Sequence, residues 1–182
     1  MVASQAPLVL RELTISDEAA FLEAYQAFQD PNFVFALEYE PKISFAEYLA
    51  KLDKIKRGID LPADRVSASL YFGFVDGVIV GRVSFRHTLN DWLFKHGGHL
   101  GYGVVPQYRQ KGYATDMLRQ VLPIVKAHGV AKVLLIPVNG VSKKVVEACG
   151  GVFESETADG KALRYWIQVG NGDLGTSGRT IQ

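Results

Sequence analysis

The sequence predicts a mixed α/β domain with helices flanking a sheet, and three observations carry that expectation. Between Gly101 and Ala114 an apolar strand breaks at Pro106 and turns through a basic, glycine-containing loop into a helix with apolar residues at helical spacing. Asp76-Gly77 joins two strand-like runs as a tight hairpin. Ser44-x-x-Glu47 is a capping box that opens another helix.

Taken in order, Leu8 to Leu13 alternates apolar with polar residues and reads as a first strand. Ser16 is the expected cap of a helix carrying Phe21, Leu22, Tyr25 and Phe28 on one face. Asp30 to Lys42 is irregular. The capping-box helix then turns Phe45, Tyr48, Leu49, Leu52 and Ile55 inward. Ser69 to Val75 and Val78 to Arg86 form the hairpin, which is expected at the centre of the sheet. A loop holding Asn90, Trp92 and Gly97-Gly98 leads to a strand starting at His99. In the long helix beyond Gly112, Pro123 removes one donor and predicts a kink, and His128-Gly129 ends it. Lys132 to Ile136 is a strand, Asn139 to Cys149 a short helix, and Val152 to Glu154 with Leu163 to Val169 a final hairpin through Asp159-Gly160. Residues 1–169 read as one domain, and the Gly, Asn, Asp, Thr and Ser of 170–182 read as a flexible tail with little to bury.

The 182 residues suffice to bury a core, as their 48% apolar content agrees. Twenty basic residues against nineteen acidic ones leave a net charge of +1, so no general attraction to nucleic acid or anionic membrane is expected. No run is long enough to span a membrane and no secretory leader is recognised, which predicts a cytoplasmic protein. The single cysteine, Cys149, excludes an internal disulfide and a cysteine-based zinc cluster, and reads as a small buried hydrophobe. His87, His96 and His99 share no spacing with acidic or sulfur ligands, so no metal is expected.

Past Gly112 the residues Ala114, Met117, Leu118, Val121, Leu122 and Val125 form one helical face, so the loop's amides fall at a helix N-terminus. Unpaired N–H groups and the macrodipole there favour an anion, and Arg109 and Lys111 add positive charge. Arg109-Gln110-Lys111-Gly112-Tyr113-Ala114 fits the Arg/Gln-x-x-Gly-x-Gly/Ala loop of the GNAT superfamily of N-acetyltransferases, and Asn139-x-x-Ser142 opens a second helix as in that superfamily. His99 to Gly103, with Gly150-Gly151-Val152-Phe153, resembles a bacterial subgroup of GNAT-type predicted acetyltransferases.

The resemblance implies a GNAT acyl-CoA N-acyltransferase fold with a mostly antiparallel sheet, using acetyl-CoA to acetylate a primary amine of a small molecule or peptide in a ternary complex. It implies that Arg109, Gln110, Lys111, Gly112, Tyr113, Ala114 and Thr115 hold the pyrophosphate, and that Val104 and Val105 offer free backbone groups to the pantetheine arm. Asn139 and Ser142 would meet the same arm, with helix capping as a second reading of Asn139. Phe33, Phe35, Glu38, Tyr39 and Glu40 are candidates for the acceptor pocket, with packing and solvation as the other reading.

Where the superfamily often has a glutamate base this chain has Gly98-His99, so His99 is the candidate base and His87 the runner-up. Val146 stands where a tyrosine acid is common, which leaves Tyr102, Tyr113 or solvent to protonate the thiolate. A non-catalytic acyl-CoA sensor of the same fold is the alternative, and a homodimer is compatible with either. A dinucleotide or P-loop protein is disfavoured, because neither Gly-x-Gly-x-x-Gly nor Gly-Lys-Ser/Thr occurs where needed.

Overall fold

A computed structural model describes residues 6–28, 30 and 33–170. The elements follow the expected order: β1 (Val9–Arg11), α1 (Glu18–Ala27), α2 (Phe45–Arg57), β2 (Ala68–Val75), β3 (Val78–Arg86), β4 (Leu100–Val104), α3 (Tyr113–Ala127), β5 (Lys132–Leu135), α4 (Gly140–Ala148), β6 (Val152–Glu156) and β7 (Leu163–Gln168). Strands β1-β2-β3-β4 make one antiparallel sheet and β5-β7-β6 a second. The β2–β3 hairpin is central to the first sheet, as expected, and its turn has Asp76 at φ 49° and Gly77 at φ 79°. Two positive φ values in a two-residue turn match the right-handed twist of the strands it joins.

Alternation along β2 and β3 sends side chains to two cores. Leu70, Phe72, Phe74 and Ile79 pack with Phe21, Ala24, Phe45 and Tyr48 of α1 and α2. Tyr71, Val80, Val83 and Phe85 pack with Met117, Leu118, Val121 and Val125 of α3. The helix lies close because Gly73 and Gly81 make a hollow for Met117; a Cβ on either would come within 2.8 Å of its side chain. Gln120 extends the anchorage, accepting the N–H of Leu10 at 2.9 Å and donating to the carbonyl of Leu8 at 2.8 Å. These contacts fix α3, and with it the loop that precedes it.

Several local expectations are corrected. The first helix is preceded by a 3₁₀ turn at Ile15–Asp17, and Thr14, not Ser16, begins it. Thr14 donates its N–H to Asp17 at 2.7 Å and its hydroxyl at 2.8 Å, because the Asp17 carboxylate lies one turn ahead. The predicted capping box at Ser44 is present, with Ser44 N–H donating to Glu47 at 2.8 Å. Between β3 and β4 the chain makes a π-helical turn, Leu93–Gly97, held by Asn90, whose side-chain oxygen accepts the N–H of Leu93 at 2.9 Å. Pro123 lies inside α3, which runs on through it. Gly170 donates to Ala131 at 2.9 Å, and the remainder of the expected tail, 171–182, lies outside the described residues.

Arg11 joins β1 to the start of α1 through Asp17, at 2.7 and 2.8 Å, and stacks over Phe74 at 3.7 Å. Hydrogen bonding from Arg11 pulls the Asp17 carboxyl down to about 2. A lowered carboxylate pKa contributes stability above the unfolded value, and that contribution is lost as pH falls through the folded value. Asp17→Asn is therefore expected to cost about 1–2 kcal/mol at pH 7, discounted for the exposed Arg11, and almost nothing near pH 2. Urea unfolding of both proteins across that range checks it.

Candidate active site

The site forms where the two sheets part. His99 stands opposite Arg86, and the register with β3 runs unbroken to Val105 opposite Val80, with Arg86 N–H donating to His99 at 2.8 Å and Val105 N–H to Val80 at 2.9 Å. Antiparallel alternation then gives Gly101 and Gly103 to β3 and turns the backbone groups of Tyr102 and Val104 away from it. On that outer side β5 meets β4 only at its start. His99 N–H donates to the carbonyl of Leu134 at 2.8 Å, and Leu134 N–H donates to His99 Nδ1 at 2.9 Å. Gly98, at φ 66°, is required there, since a Cβ would lie 2.5 Å from that same carbonyl. Beyond this point β5 pairs with β7 alone.

Val104 thus keeps the outward edge the sequence predicts, and its carbonyl accepts Arg109 Nε at 3.2 Å. Val105 does not: its N–H is bonded to Val80 and its carbonyl accepts Tyr108 N–H at 2.9 Å. Tyr102 takes its place as the second residue with backbone groups on the open edge.

A 3₁₀ turn, Pro106–Tyr108, carries the chain into the loop. Gln110 at φ 63° and Gly112 at φ 84° are both left-handed, and the first bond of α3 runs from Asp116 N–H to Gly112. Gln110, Lys111, Gly112, Ala114 and Thr115 therefore present a run of amides at a 15-residue helix's N-terminus. The space beside Gly112 is open, with nothing within 4 Å of an added Cβ. Tyr113 instead buries its ring in the core. Arg109 reaches Asp30 at 3.8 Å across the face of Phe28, and Lys111 lies over the Tyr108 ring at 5.6 Å. An anion cradle with two flexible cations beside it is the arrangement a diphosphate needs.

Asn139 caps α4, its side-chain oxygen accepting Ser142 N–H at 2.8 Å, which leaves its amide N–H₂ to face outward. Tyr102 spans the gap from β4 to α4 and donates its hydroxyl to the carbonyl of Ser142 at 3.2 Å. Burial pushes that phenol up to about 12, so it stays protonated. Val146, in the position where the superfamily often carries a tyrosine, is buried in the α3 core.

His99 is spent on structure. Its Nδ1 lone pair accepts the Leu134 amide, so the neutral ring carries its proton on Nε2, and burial followed by the charge of Arg86 pulls its pKa to about 4. A base needs a free lone pair, and this ring has none to offer at neutral pH. His87 bonds Ser69 at 2.8 Å and lies 4.7 Å from the ring of His128, while His96 lies against Trp92, so the three histidines do not converge. Among the described residues no group of three or more His, Cys, Asp or Glu side chains could hold a metal.

On the opposite face of β4 from Tyr102, the segment 33–39 closes over the sheet. Phe33 lies against Gly103, where a Cβ would clash at 2.7 Å, and over the Arg82 guanidinium at 4.2 Å. Phe35 and Tyr39 pack in the α1–α2 core, and Glu38 and Glu40 engage Lys51, Arg65 and Lys42 at the surface. Sequence reasoning passed over Arg82 and Arg86. The available signal was two arginines four apart, hence on one face, in an otherwise apolar strand. Arg82 is buried and holds the loop, donating to Phe35 at 2.9 Å and also to Val34.

The family of the acetyltransferase (GNAT) domain matches residues 7–152. The chain belongs to the GNAT acetyltransferases. Solved structures agree on the fold. The ribosomal-protein-S5-alanine acetyltransferase of Vibrio fischeri is 19% identical with a TM-score of 0.60, over 90% of this chain and 94% of that one. RimJ of Mycobacterium smegmatis, solved with CoA-disulfide, is 18% identical with a TM-score of 0.61, over 90% and 82%. The yncA acetyltransferase of Salmonella typhimurium, solved with acetyl-CoA, is 15% identical with a TM-score of 0.58, over 91% and 96%. No curated protein matches the chain in sequence. The fold described above is an α/β arrangement of antiparallel sheets flanked by helices, and among the described residues no helix is long and apolar enough to cross a membrane.

The GNAT juncture at His99 makes a direct prediction. Nitrogen NMR is expected to show His99 neutral at pH 7, protonated at Nε2 and bare at Nδ1, with a titration midpoint near pH 4. A depressed histidine pKa contributes stability that is complete above about pH 6.5 and is lost as pH falls toward the folded value. A midpoint near 7 would contradict the buried bond to Leu134.

Proposed function

We propose that the chain is an acetyl-CoA-dependent N-acetyltransferase that acetylates a primary amine in a ternary complex. One observation carries the reading: the orphan amides around Gly112 open a helix beside the unpaired edge of β4, so an anion site and a strand edge lie in line. The residues present fit CoA, whose pyrophosphate would meet the amides of Gln110, Lys111, Gly112, Ala114 and Thr115, with Arg109 released from Asp30 to join Lys111 around it. When bound, acetyl-CoA supplies an activated acetyl thioester.

The chain's own residues then do four things. The outward N–H and C=O groups of Tyr102 and Val104 align the pantetheine arm as an added strand, with Asn139 on its far side. A backbone N–H on the same edge polarises the thioester carbonyl. The Tyr102 hydroxyl, which donates to Ser142 in the first turn of α4, would give its proton to the departing thiolate and regain one from the acylated amine nitrogen, so that amide and free thiol form with no net change in protons. The buried Arg82 cation on the acceptor face favours the neutral over the protonated amine. The cytoplasm, where acetyl-CoA is made and used, is the compartment this chemistry implies.

Val146 favours a second reading, a non-catalytic acyl-CoA sensor. Release of free thiol from acetyl-CoA across an amine panel separates the two, because a sensor binds without turnover.

Gly112→Asp is expected to weaken CoA binding at least ten-fold, about 1.4 kcal/mol, by calorimetry, while thermal unfolding shows the fold retained. Unchanged affinity would remove the loop from the site. Tyr102→Phe is expected to lower kcat ten- to a hundred-fold with CoA affinity unchanged, and an unchanged kcat would leave solvent as the proton donor.

A further inference from the structure

On the acceptor face of β3, Arg82 and Arg86 stand four residues apart, and neither forms an ion pair among the described residues. Arg82 is accounted for. Its fork is filled by the carbonyls of Val34, Phe35 and, at 3.4 Å, Gly101, and it lies under Phe33. Arg86 is not. Nη1 donates to Gly97 at 3.0 Å and Gly98 at 3.1 Å, which fixes the guanidinium, but Nη2 and Nε have no intrachain acceptor among the described residues.

That fork lies against Gly101. The three atoms nearest an added Cβ at Gly101 would all be Arg86's, Nη2 at 3.5 Å, Nη1 at 3.6 Å and Cζ at 3.9 Å. The half-buried cation therefore packs on the bare strand at Gly101, on the face opposite Tyr102, with Nη2 and Nε still unused. Desolvation lowers the Arg86 pKa, and among the described residues no acid pairs with it. A partly desolvated cation with unused donors and no counter-charge is costly unless a ligand completes it. Planar, bidentate carboxylates match a guanidinium fork better than any other common anion of that size.

We propose that the acceptor is a small amine that also carries a carboxylate, as an α-amino acid does, and that Arg86 binds that carboxylate over Gly101. The inference rests on the acetyltransferase reading and names its substrate class. With the carboxylate on Arg86, an amine a few bonds away lies over β4 next to Tyr102, whose backbone edge takes the pantetheine arm. Polycationic amines meet the uncompensated Arg86 guanidinium, with the buried Arg82 charge behind it on the same face, and are rejected. Arg86 is thus a specificity residue that does not take part in the chemical step.

The test uses the full chain with acetyl-CoA and reads thiol release from free amino acids, their carboxamides and spermidine. Carboxylate acceptors are expected to exceed the matching carboxamides at least ten-fold in kcat/KM, and spermidine by more. Arg86→Gln is expected to raise KM for the carboxylate acceptors at least ten-fold, to leave kcat within about three-fold, and to leave the carboxamides unaffected; Arg86→Lys restores part of the loss. Equal use of acids and carboxamides, preference for spermidine, or no turnover of any carboxylate acceptor by a protein that binds acetyl-CoA would overturn the inference. The first comparison needs no variant, so a misfolded Arg86→Gln does not decide it. Calorimetry with acetyl-CoA is the separate control: no binding would overturn the acetyltransferase reading itself, and this inference with it.

Discussion

The double hydrogen bond between His99 and Leu134 is the constraint on which the site depends. It holds the start of β4 to β5 through two N–H groups, one carbonyl and one ring nitrogen, and among the described residues nothing past it repeats the pairing. Had the strands continued in register, the outward groups of Tyr102 and Val104 would have been consumed by β5. Because they part, the outer edge of β4 stays unpaired past His99, the geometry an added extended ligand requires. Burial of His99 is the cost of that juncture, and it removes from the ring the protonation chemistry its residue type suggests.

The cofactor side is built almost entirely from backbone. The hollow at Gly73 and Gly81 lets Met117 bring α3 against the sheet, and Gln120 ties the helix to the edge of β1, so the orphan amides at its N-terminus are rigidly aimed. Side chains contribute adjustable charge. Arg109, now shared between Val104 and Asp30, links the loop before α3 to the chain that follows α1. The two faces of β4 consequently have different chemistry: carbonyls, amides and a phenol on one, guanidinia and aromatic rings on the other.

Much of this was legible in advance. The order of elements, the Asp76-Gly77 hairpin, the Ser44 capping box and the run of amides at the start of α3 each follow from a short-range rule about turns, caps or helix ends. Misreadings arose where a local rule had a close competitor. Ser16 satisfies the preference for a cap, but Thr14 has a carboxylate three residues ahead and takes the role. Val104 and Val105 look alike in sequence, while strand alternation gives one of them to the ligand edge and the other to β3.

The sequence by itself determined which segments are helix, strand and turn, and that one helix opens from a glycine-containing loop with its amides presented, because those properties depend on residues within a turn or two of each other. Only the tertiary structure decided that His99 is bonded to a residue 35 positions away, that Tyr102 reaches α4 across 40, and that Arg86 keeps free donors over a bare strand. The roles of these three side chains depend on whether a lone pair or a donor is already taken, and the partner that takes it is brought near only by the packing of distant segments.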